Sequence, residues 1–209
     1  MKKLLKLSVL AIFLLTNLSL WAQNEDLDAK IADFNFKVCS QGAKQGNKKL
    51  QFELGVFYYT GKYVTRDYNQ AVYWFTKSAN QGYADAQLQL GKCYYSGKGV
   101  TKNLKQAVSW YTKAANQGIA DAQFLLGYCY CYGEGATQNY SQAVSWFTKA
   151  AKQGHASAQL LLGLSYIEGE GVNQDLKQAE YWCTKAKNNP SADNEIKSLA
   201  QEALDALKQ

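Results

Sequence analysis

Apolar residues recur along this chain with two superposed periods. Within 84–95, Ala86, Leu90 and Tyr94 stand at i, i+4 and i+8, and further on Ala107, Trp110, Tyr111 and Ala114 stand at i, i+3, i+4 and i+7. Both spacings place the apolar side chains on one face of an α-helix. Between them Ser96-Gly97-Lys98-Gly99 breaks the pattern, because glycine accepts positive φ and ends helices at little cost. The longer period is 36 residues: it relates Trp74, Trp110, Trp146 and Trp182, and equally Gly55, Gly91, Gly127 and Gly163. A repeat of that length predicts stacked helix-turn-helix units, each burying its apolar face against its neighbours. The predicted fold is all-α, a solenoid of four such repeats.

Start and stop signals agree with the period. Asp67, Asn103, Asn139 and Asp175 are N-cap residues, and Gln70, Gln106, Gln142 and Gln178, three positions on, complete a capping box in each copy. Gly82, Gly118 and Gly154 end the second helices. The terminal units differ, as solenoid ends must. Residues 34–46 align with a second helix in which Val38 replaces the tryptophan, which predicts a degenerate N-terminal cap helix. Pro190-Ser191 stops the last repeat and caps a C-terminal helix with the apolar stripe Ile196, Leu199, Ala200, Ala203, Leu204 and Leu207. The chain thus divides into 1–22, an N-terminal cap segment 23–46, the repeat solenoid 47–188 and a capping helix 189–209.

Residues 1–22 change the destination. Lys2, Lys3 and Lys6 precede the apolar run 7–20, which ends in Leu20-Trp21-Ala22, the layout of a cleaved secretory signal peptide. A membrane anchor needs ~20 apolar residues, more than this run supplies, and Asn17 interrupts it. Export to the periplasm or the medium is expected, with no membrane span in the mature chain. Loss of Lys2, Lys3 and Lys6 leaves 20 Lys and Arg against 17 Asp and Glu. The signs alternate along the chain rather than gathering on one face, which argues against nucleic acid as a partner.

Leu90-Gly91, Tyr94, Gly97-Lys98-Gly99-Val100, Ala107, Trp110-Tyr111, Lys113-Ala114-Ala115 and Gln117-Gly118 together resemble the Sel-one-like repeat, a relative of the tetratricopeptide repeat. The likeness covers 43–188, and its departures are Tyr63 for the second loop glycine, Ala136 for the loop valine and Lys187 for the second alanine. The resemblance implies a right-handed α-solenoid used as a non-catalytic scaffold for a protein or peptide partner, without a cofactor, and a monomer is expected. In relatives the first helices line the concave side. Some cysteine-rich relatives are associated with β-lactam binding or hydrolysis, the alternative function.

The four copies act as an alignment within one molecule. On the first helices the residues at the Leu50, Gln51, Leu54, Gly55 and Tyr58 positions recur, whereas the opposite stripe varies: Lys49, Glu53, Val56, Thr60; then Asp85, Gln89, Lys92, Ser96; then Asp121, Leu125, Tyr128, Tyr132; then Ser157, Leu161, Leu164, Glu168. The stripe turns from polar to apolar along the solenoid. Gln89, Lys92, Asp121, Leu125, Tyr128, Tyr132, Leu161 and Leu164 are therefore the candidate partner-binding residues, since exposed leucine and tyrosine suit a peptide or helix in a groove. The alternative is that the leucines pack on one another inside the superhelix.

Catalytic and metal chemistry find little footing. His155 is the one histidine and sits at a turn position held by Tyr83 and Ile119 in other copies; Ser109 and Ser145 have no histidine nearby. The Gly-Lys-Gly and Gly-Glu-Gly loops lack the preceding strand and third glycine of a phosphate cradle. Cys93 and Cys129 occupy one position in adjacent repeats, where helix spacing of roughly 8–10 Å exceeds disulfide reach. Cys39 and Cys183 lie far apart, so most cysteines are expected to be small buried hydrophobes, with a Cys93–Cys131 bridge the remaining possibility. The paired cysteines of the cysteine-rich branch are missing.

Overall fold

The computed structural model describes Leu27 and residues 30–208, and the predicted signal peptide lies outside them. Among the described residues are ten helices and no strand. Helix α1 spans 30–44; then come α2 (Lys48–Thr60), α3 (Tyr68–Asn80), α4 (Ala84–Ser96), α5 (Leu104–Asn116), α6 (Ala120–Tyr132), α7 (Tyr140–Lys152), α8 (Ala156–Glu168), α9 (Leu176–Lys187) and α10 (Asn194–Ala206). The pairs α2/α3, α4/α5, α6/α7 and α8/α9 are the repeats; each second helix packs on the next first helix, and α10 closes the array against α9 and α8.

The recurring glycine is a packing site. A Cβ at Gly55, Gly91 or Gly127 would stand 2.5, 2.6 and 2.7 Å from the ring of Phe75, Tyr111 and Phe147 respectively, well inside van der Waals contact. The ring of the second helix thus lies directly on the backbone of the first. In the fourth repeat Cys183 takes the ring's place, its Sγ 2.5 Å from the same point at Gly163. The tryptophans reach backwards: Trp74 joins the cluster of Cys39, Ala43 and Leu54, and Trp110 that of Ala71, Phe75, Leu90 and Cys93. Trp146 and Trp182 pack back in the same way but are only half-buried.

A second recurring device clasps three helices. Gln123, on α6, is 5% exposed; its Nε2 donates to the Ala115 carbonyl at the end of α5 (3.1 Å), and its Oε1 accepts from Gln153 Nε2 at the end of α7 (2.8 Å). Gln51 with Ala43 and Gln81, and Gln87 with Ala79 and Gln117, repeat the arrangement. At the last repeat Asn189 substitutes for the outer glutamine, donating to Gln159 Oε1 at 2.9 Å and to the Gly154 carbonyl at 2.7 Å.

Two local expectations need correction. The N-cap side chains of Asp67, Asn103, Asn139 and Asp175 do accept from the backbone N–H three residues on. The reciprocal half of the capping box is replaced, because each N-cap backbone N–H donates instead to the carbonyl of Tyr58, Tyr94, Tyr130 or Tyr166 in the preceding helix. Helix α10 is capped by Asp193, whose Oδ1 accepts from the Ile196 N–H, and not by Ser191. Of its stripe, Ala200, Ala203 and Leu204 are buried and Leu199 is exposed.

Candidate interaction surface

The face of each first helix turned away from the recurring glutamine and glycine is the variable stripe. At its polar end, Lys92 of α4 and Asp121 of α6 approach across the repeat boundary, Nζ to Oδ2 3.8 Å, and Gln89 lies half-buried one turn before Lys92. Both charged side chains remain open to water, so the pair contributes little to stability and mainly sets the sign of charge presented there. Asp121 Oδ1 also lies 3.7 Å from His155 Nε2, at the start of α8.

The apolar end is built on α6. Phe124, Tyr128 and Tyr132 stand at i, i+4 and i+8; the rings of Tyr128 and Tyr132 are 4.4 Å apart, and those of Phe124 and Tyr128 6.5 Å. Tyr132 is 56% exposed at the open end of this row. Leu125 leans on the cluster of Leu88, Ala122 and Leu126, and Leu161 on that of Phe147, Ala158 and Leu162, so each leucine is half core and half surface. The structure places Leu164 elsewhere: it packs with Leu160, Ala200 and Leu204, under α10.

His155 belongs to this surface and was missed by sequence reasoning. It is the N-cap of α8, its Nδ1 accepting from the Ala158 N–H at 3.3 Å, which places the proton of the neutral ring on Nε2, toward Asp121. Its ring stacks on Phe124 with centroids 4.5 Å apart and planes at 21°. Burial lowers its pKa from the ordinary 6.5, while the Asp121 carboxylate works against that shift. The equivalent pair earlier in the array, Tyr83 and Phe52, also meets, but tilted at 53° with centroids 5.3 Å apart. The histidine occupies the packing slot that Tyr83 holds in an earlier repeat.

The thiols carry no site either. All five cysteines are free; Cys39, Cys93, Cys129 and Cys183 are buried and Cys131 is half-buried. Burial pushes the Cys93 and Cys183 thiols up to about 11 and Cys129 to about 12, so they stay protonated and unreactive at neutral pH. Among the described residues no group of His, Cys, Asp or Glu could hold a metal ion, and no helix is long and apolar enough to cross a membrane.

The Sel1 repeat family matches residues 49–83, 84–119, 120–155 and 156–191. Of solved structures, c5321, a protective antigen of uropathogenic Escherichia coli strains displaying an SLR fold, is similar at 40% identity and a TM-score of 0.72, over 75% of this chain and 33% of that one. A Sel1 repeat protein from Oxalobacter formigenes is 34% identical with a TM-score of 0.72, over 81% of this chain and 49% of that one. Helicobacter pylori cysteine rich protein B shares the fold at 24% identity and a TM-score of 0.51, over 60% of this chain and 93% of that one. This chain therefore spans only a third to a half of the first two relatives. No match is found among curated proteins.

Proposed function

The chain belongs to the Sel1 repeat family, and from that premise we propose that it is an exported scaffold that holds a peptide or helical segment of a partner protein along the concave face of repeats two to four. Sel1 repeat proteins are in general scaffolds for protein–protein interaction. The observation that supports the finer reading is the aromatic row on α6, where the tilted rings of Tyr128 and Tyr132 stand 4.4 Å apart beside the half-buried Leu125 and Leu161 and end in the open Tyr132 ring. Aromatic anchors of this kind dominate interface energetics. Lys92, Asp121 and Gln89 then supply the polar rim that orients the ligand, and export follows from the sequence of residues 1–22.

Selection of displayed peptides on the purified chain tests the reading, with binding of the enriched peptides followed by fluorescence anisotropy. Because Leu125 and Leu161 also serve the core, the informative variant is Tyr128→Ser with Tyr132→Ser. It is expected to keep the helical circular dichroism signal and to weaken the enriched peptides at least ten-fold. Enriched peptides that bind the double variant as well as the parent chain would move the site off this face.

A further inference from the structure

The two ends of the solenoid are finished differently. At the C-terminal end α10 buries Ala200, Ala203 and Leu204 and turns Asn194, Glu195, Ser198, Glu202 and Asp205 to water. At the N-terminal end α1 buries Cys39 and Ala43 against the first repeat, with Phe36 alongside. Its other side exposes Ile31 (48%), Phe34 (65%) and Val38 (49%), and Leu27, helical and ahead of α1, is 55% exposed. Val38 holds the tryptophan position, the one from which Trp74, Trp110, Trp146 and Trp182 reach back into a preceding unit. A solenoid end that meets water needs a polar outer face, and this one carries an apolar stripe among the exposed Lys30, Asp33 and Lys37.

The stripe has the features of a self-complementary seam. Its 4-3-4 spacing is that of paired helices packing knobs into holes. The spacing is also palindromic: an antiparallel copy sets Leu27 against Val38 and Ile31 against Phe34, which is the condition for a two-fold symmetric contact. Charge selects the same orientation. In the antiparallel register position 28, an aspartate, falls opposite Lys37 of the other copy, whereas parallel pairing sets each charge against its own like; Lys37 also pairs with Asp33 of its own chain at 2.7 Å. Cleavage after Ala22 would leave only residues 23–26 ahead of Leu27, a reach of about 14 Å. The stripe itself is about 16 Å long, so the chain ahead of it is too short to double back and cover it.

We propose that two copies of this chain form a symmetric dimer through antiparallel pairing of α1 along Leu27, Ile31, Phe34 and Val38. The dimer uses the N-terminal end and does not depend on the partner-binding reading; it rests on cleavage of residues 1–22. The test uses the chain expressed with its own leader, purified from the exported fraction and its N-terminus read by mass spectrometry. Sedimentation velocity over about 1 to 200 µM is expected to show a mass of two chains that halves on dilution, and the transition should move to higher concentration in about 0.5 M salt. Phe34→Glu is expected to sediment as one chain throughout with an unchanged melting curve, since Phe34 makes little contact with its own repeat, and Phe34→Leu is expected to restore the dimer. Orientation is read by mixing Ile31→Cys with Phe34→Cys under mild oxidation: the mixture should cross-link and Ile31→Cys alone should not. A single-chain mass at every concentration, or a Phe34→Glu protein that dimerises as the parent does, would overturn the proposal.

Discussion

Replacing Gln123 with Met tests whether the glutamine clasp holds neighbouring repeats together. The side chains match in length, so the substitution removes two hydrogen bonds without opening a large cavity. The Ala115 carbonyl loses the Gln123 donor but still accepts from the Gly118 N–H at 3.0 Å. Gln153 loses its acceptor but lies at the surface, where water replaces it. Neither partner is left buried and bare, so the cost is that of two ordinary hydrogen bonds, about 0.5–1.5 kcal/mol each, reduced by the added apolar burial of the thioether. We expect a net loss of about 1–2 kcal/mol, which lowers the melting temperature by about 2–4 °C per kcal/mol in a chain of this size. Gln153→Met alone should cost less, and the double variant should show a coupling of about 0.5 kcal/mol or more in a thermodynamic cycle. Because arrays need not unfold in one step, hydrogen exchange at the α5 and α7 C-termini should accompany the melts. A loss below about 0.3 kcal/mol with no coupling would refute the clasp.

Four further outcomes are expected. His155 is held below its ordinary pKa, so the unfolded chain binds the extra proton first and stability falls as pH drops below about 6.5 until the folded group also titrates; His155→Tyr, the residue found at position 83, should flatten that slope in melts between about pH 7.5 and 5. Gly127→Ala should destabilise by about 1–3 kcal/mol in chemical denaturation, because its Cβ meets the Phe147 ring at 2.7 Å. In native alkylation followed by mass spectrometry, Cys131 should label first and Cys129 last, and a chromogenic β-lactam should not change colour.

Most of the fold was legible because one sequence held four trials of the same unit. The tryptophan and glycine columns gave the period, and the N-cap column placed every second helix. What escaped was relational. The recurring glutamine at 51, 87, 123 and 159 was visible as a column, but its purpose depends on a partner thirty residues on, and in the last pairing that partner is Asn189 rather than a glutamine. The capping box was over-read because spacing cannot show that the N-cap N–H already belongs to a tyrosine carbonyl. His155 looked like an idle turn residue, since its stacking partner Phe124 lies in the preceding repeat. At the variable stripe, periodicity identified a face, and the leucines on it proved to serve two surroundings at once.

Because every clasp joins only adjacent units and every first helix starts at an equivalent residue, the molecule has no intrinsic length. Excising 84–119 in frame would splice Tyr83 onto Ala120, two residues already standing in the geometry that Ile119 and Ala120 now share, and would hand the carbonyl of Ala79 to Gln123 in place of Gln87. Duplicating that segment would lengthen the array by the same joint. A ruler that can be cut or extended at identical marks lets the span between its two ends be adjusted without redesigning either end.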